Sequence, residues 1–92
     1  MTKVLIDILV EEQELVREID DVSRSIEEIS DHRISVLMNY DDLTHTVLSA
    51  YIRHLQTEID RLNAEKFELQ EKLVGIRREL AGYIKYNILK GE

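Results

Sequence analysis

The chain has no cysteine and no proline, and only three of its 92 residues are glycine. Without cysteine it can form neither a disulfide framework nor a thiolate metal site. Its composition fits a reducing compartment, so a cytoplasmic location is expected. Without proline, and with so little glycine, it has almost no local means of interrupting a helix. Long apolar runs are missing too: nothing approaches the roughly 20 residues of a membrane span. The run from Val4 to Val10, preceded by Lys3, is broken by Asp7 and lacks the length and cleavage site of a secretory signal. No membrane association is expected. Positive charge is scarce, with Lys+Arg 12 against Asp+Glu 19 and a formal net charge of -7. That balance argues against a nucleic-acid partner, because phosphate neutralisation needs a basic face. Only Lys72, Arg77, Arg78, Lys85 and Lys90, with Glu79 the lone acid among residues 72 to 90, form a locally basic stretch.

What the chain does have is 43% hydrophobic and 34% charged residues, enough apolar material to fold. A chain this short still buries little surface by itself, so oligomerisation or a partner is expected. The apolar residues are strictly spaced. Leu5, Ile8, Leu15, Ile19, Val22, Ile26, Ile29 and Val36 recur at alternating steps of three and four, with Glu12 and Arg33 as polar interruptions. A second ladder runs through Leu48, Ile52, Leu55, Ile59, Leu62, Leu69, Leu73, Ile76, Leu80 and Tyr83, interrupted only by Lys66. Both are a/d heptad seams.

The two ladders are out of phase: extending the first would place Ala50, His54 and Thr57 in the seam. On one unbroken helix the apolar stripe would jump to nearly the opposite side, so the chain is predicted to turn back. The turn falls at Asn39-Tyr40-Asp41-Asp42, where Asn tolerates left-handed geometry and an Asp can cap the next helix. The predicted fold is an all-α antiparallel two-helix coiled-coil hairpin forming one domain over residues 1–92. Helix 1 covers about 3–38, the turn about 39–42 and helix 2 about 43–89. Dimerisation into a four-helix bundle is expected. A turn centred between Tyr40 and Asp41 pairs Arg33 with Leu48, Val22 with Ile59, Leu15 with Lys66 and Glu12 with Leu69; other registers differ by heptads. Charge favours the hairpin, since residues 1–38 hold four basic and ten acidic side chains and residues 43–90 hold eight basic and six acidic.

Candidate chemistry is sparse. His32, His45 and His54 lack the i, i+4 spacing that sets two imidazoles on one ligand face. No phosphate loop or nucleophile arrangement appears, so no catalytic, metal or cofactor site is expected. Two stretches resemble parts of known enzyme families. Ile19-Asp20, Val22, Ile26, Ile29 and Arg33 resemble the first helix of small all-helical chorismate mutases, although Arg17 stands one place out of register for the leading arginine. Glu11-Glu12 with Glu28-x-x-Asp31 resembles the acidic motifs of MazG-type pyrophosphohydrolases, which imply magnesium and a nucleotide; Leu15 stands where the first motif needs its final Glu. The alternative function is therefore a small helical enzyme of one of these kinds. Architecturally, Tyr51-Ile52-Arg53-His54-Leu55 leading into the heptads up to Leu80 resembles the second arm of flagellar and type III export stalk proteins. Prefoldin-like tentacles and protease-regulator coiled coils resemble it about equally.

The leading expectation is a non-catalytic helical interaction module: an adaptor, assembly factor or small chaperone that binds a second copy of itself, a helical protein partner, or both. The expected contact surface gathers Leu9 and Val16 at e positions of helix 1. On helix 2 it gathers Phe67, Val74, Ala81 and Ile88 at b, with Gly75 and Gly82 beside them at c, where small residues permit close helix approach. Glu12, Lys66 and Arg33 are expected to set register and pairing from within the seam, with Glu12 and Lys66 as an ion pair.

Overall fold

The structure, a computed structural model, describes residues 4–39 and 45–90, with side chains as far as Tyr86. Two long helices make up the described residues, α1 over Leu5–Asn39 and α2 over His45–Lys90, with no strand among them. The fold is all-α. The chain divides into two compact units: a terminal unit of Met1–Asp20 with Phe67–Glu92, and a hairpin unit of Asp21–Lys66.

Helix α1 starts at Val4, whose carbonyl accepts the Asp7 and Ile8 amides at 3.0 and 3.3 Å. The Asp7 carboxylate in the first turn complements the positive end of the helix dipole. At its other end the expectation of a left-handed asparagine fails. No described non-glycine residue has positive φ. Asn39 stays helical, and its Nδ2 donates back to the Ser35 carbonyl at 3.0 Å and to Ser35 Oγ at 3.3 Å, one turn earlier. The rest of the expected turn, Tyr40 to Asp42, lies outside the described residues, as does the Lys3 start of helix 1.

Every position of both heptad ladders is buried or half-buried, including the polar Glu12, Arg33 and Lys66. The two units differ in depth of core. In the hairpin unit Val36, Leu55, Ile59 and Leu62 are buried, whereas in the terminal unit Ile8, 2% exposed, is the one described hydrophobic residue that is buried. The ion pairs Arg24–Asp21, Arg61–Glu58 and Arg61–Glu65 each lie within one helix on exposed positions, where they contribute a few tenths of a kcal/mol each.

The register differs from the layers drawn from the sequence. In the terminal unit Glu11, Glu14, Leu15 and Glu18 share a groove with Lys72, Gly75, Ile76 and Glu79. Leu15 thus stands opposite the stretch from Lys72 to Ile76, about a heptad beyond Lys66. In the hairpin unit Arg33 donates to Gln56, again about a heptad beyond the Leu48 expected opposite it. The cause is the connection. A periodic ladder fits its neighbour equally well at every displacement of seven, and α1 persists to Asn39 while α2 begins only at His45. That moves the centre of the hairpin toward His45. The expected Glu12–Lys66 ion pair rests on adjacent layers of that other register.

Two outcomes follow for stability. Ile59→Ala, which empties a buried site, should cost about 2–4 kcal/mol in chemical denaturation. Glu12→Leu and Lys66→Leu should each stabilise by about 1 kcal/mol, half the value of a fully buried leucine, raising Tm by about 4–8 °C. With no shared layer, the two effects should add to within about 0.5 kcal/mol; a double-mutant cycle giving a larger coupling would restore the ion pair.

Candidate functional site: outward faces of the helices

Three surface features stand out, each inside one unit. The first is the groove of the terminal unit, about 580 Å³ in volume. Its floor is Leu15, Ile76 and the backbone of Gly75, and its rim carries Glu11, Glu14, Glu18 and Glu79 against the single cation Lys72. In heptad terms these are the d, g and c positions of both helices, one side of the seam. Glu14, Glu18 and Glu79 make no ion pair or hydrogen bond among the described residues. A Cβ added at Gly75 would meet nothing within 4 Å, and the same is true of Gly82 one heptad on.

The second feature is the apolar surface expected at Leu9, Val16, Phe67, Val74, Gly75, Ala81, Gly82 and Ile88. Phe67 is 62% exposed, Leu9 and Val74 are also exposed, and Val16 is half-buried. Ala81 is exposed, and the Ile88 side chain lies outside the described residues. The grouping divides in two: Gly75 lines the acid-rimmed groove, and Leu9, Val16, Phe67 and Val74 do not. The b and e positions lean to one side of the seam and the c and g positions to the other.

The third feature escaped the sequence reading. Ile34, Leu37 and Met38, the last 73% exposed, form an apolar patch near the end of α1, as does Val47 near the start of α2. Leu37 also lines a groove of about 440 Å³ with Leu48, Ser49, Ile52 and Gln56, flanked by His45 and Arg53. Ile34, Leu37, Met38 and Val47 stand at b, e, f and c positions, apolar residues off the seam like Phe67 and Leu9.

The hairpin unit also holds two polar contacts across its helices. Arg33, half-buried in the seam, donates to Gln56 Oε1, and Gln56 Nε2 donates to Asp60 Oδ1 at 3.0 Å. A neutral amide thus links a cation to a carboxylate, and the guanidinium keeps a partner where the seam offers none. His32 Nε2 lies 2.8 Å from the Tyr51 hydroxyl, with the rings edge to face at 5.8 Å between centroids. Both residues are exposed. Among the described residues no three of His, Asp and Glu converge as a metal-binding group. Glu11 and Glu12 belong to the terminal unit, Glu28 and Asp31 to the hairpin unit. No described helix is long and apolar enough to cross a membrane. No protein-family model matches this chain, and no curated protein or solved structure is significantly similar to it.

Proposed function

We propose that the protein is a non-catalytic helical interaction module, an adaptor or assembly factor whose seams are completed by helices from outside the chain. The observation that carries this reading is the thin core of the terminal unit. Ile8 is buried there while Val4, Ile6, Val10, Phe67 and Val74 are exposed. A pair of helices covers each seam from one side only, and a third or fourth helix would bury the same residues at about 25 cal/mol per Å² of apolar surface. Exposed apolar side chains beside a seam mark contact sites, and an amphipathic helix is an occupant that would bury them. The covering helices come from a second copy of the chain through the Phe67 and Leu9 side, from a helical partner, or from both.

Phe67→Glu tests this directly. The substitution lies on an exposed position and should change the stability of the isolated chain by no more than about 0.5 kcal/mol. It should nevertheless abolish self-association in sedimentation velocity at micromolar concentration, together with capture of any helical partner seated on the Phe67 side. A wild-type chain that sediments as a well-folded monomer and captures nothing would remove the reading.

The rival of another class is a small helical enzyme, either a magnesium-dependent hydrolase or one of the chorismate mutase kind, which rests on the resemblances in sequence. For the first, calorimetric titration with magnesium chloride decides. We expect no saturable heat; a saturable one lost in Glu28→Gln would favour the hydrolase.

A further inference from the structure

We propose that the groove of the terminal unit is the docking site for a cationic amphipathic helix of another protein, not for a second copy of this chain. This rests on the reading above and specifies one face and one class of partner. Three observations combine. The floor made by Leu15, Ile76 and Gly75 is apolar, which calls for an apolar ridge on the occupant. The rim holds four glutamates with one lysine, and Glu14, Glu18 and Glu79 make no ion pair among the described residues.

The third observation is Gly75. It stands inside α2, where glycine costs about 1 kcal/mol relative to alanine, and nothing in the fold requires it, because a methyl group there would touch nothing within 4 Å. The space it leaves opens into the groove, where it lets a neighbouring backbone approach closely. A glycine that disfavours the free helix and is not needed by its packing is explained by what lies across from it.

Charge selects the occupant. Stacking the same groove of two copies would set Glu14, Glu18 and Glu79 against the same three, and like charges brought together across an interface are repulsive. A partner helix with a small or apolar ridge flanked by Lys and Arg would place its cations against Glu14, Glu18 and Glu79. Contacts of this kind give fast, salt-sensitive association. The Phe67 side remains available for other contacts, because it lies across the seam.

The test uses the full chain and two synthetic helical peptides, with leucine at heptad spacing flanked by lysine in one and by glutamate in the other. In calorimetric titration the lysine peptide should bind and the glutamate peptide should not. Gly75→Leu, which fills the floor without altering charge, should weaken binding by about tenfold or more, the scale of overpacking a close contact. Glu14→Gln with Glu18→Gln should reduce the salt dependence, whereas Glu27→Gln in the other unit should leave binding unchanged. Gly75→Ala should raise the Tm of the free chain while weakening the peptide, a combination that a purely structural glycine would not give. Equal binding to wild type and Gly75→Leu, equal binding of both peptides, or binding of neither would overturn the proposal. So would self-association abolished by Gly75→Leu. In each of these cases the Phe67→Glu experiment still judges the wider reading separately.

Discussion

A seam between two helices can be covered from one side only, and the rest of this structure depends on that constraint. Both ladders lie at the seam without interruption, yet only Ile8, Val36, Leu55, Ile59 and Leu62 lose nearly all contact with solvent. The others keep an open flank. The same openness explains how Glu12, Arg33 and Lys66 occupy seam positions without disrupting them: a long side chain lays its stem on the apolar stripe and keeps its charged head at the water. No polar or charged side chain is buried among the described residues, and no buried polar atom lacks a partner.

Arg33 shows what happens when such a head group finds a partner. Its hydrogen bond to Gln56, and that of Gln56 to Asp60, make a short polar chain on the rim of the seam. The amide fixes the distance between cation and carboxylate, and the side chains that make it belong to both helices. The terminal unit treats its charges differently: three carboxylates around Leu15 and Ile76 make no ion pair among the described residues.

The heptad spacing made the two helices, their seam and their polar interruptions legible in the sequence, because burial on a helix repeats with a period that the residues record. The register was not legible. Leu15 fits Lys66 or the turn after Lys72 with equal periodicity, and the difference lies in how far α1 runs before the chain reverses. Once the register was displaced, the site moved with it. Glu14 and Glu18 are unremarkable in sequence, and with Lys72 and Gly75 they become a groove only when c and g positions of two helices are set face to face. Gly75 was singled out for its smallness but grouped with the b positions, because adjacency in sequence does not reveal which flank of the seam a residue joins.

The unequal cores of the two units bear on the order in which the chain assembles. In the hairpin unit the contacting residues are close in sequence, as with His32 and Tyr51, and four buried side chains reward the closure. The terminal unit joins residues far apart in sequence, such as Leu15 and Ile76, around Ile8, the one hydrophobic residue buried among those described there. Short-range contacts form at the smaller entropic cost, so folding starts in the hairpin unit and reaches the terminal unit last. Opening runs in the reverse order, and amide exchange is fastest in the segment that holds the groove. A ligand seated there would act as a clasp on the least stable part of the molecule, so its arrival is felt as slower exchange along the final turns of α2.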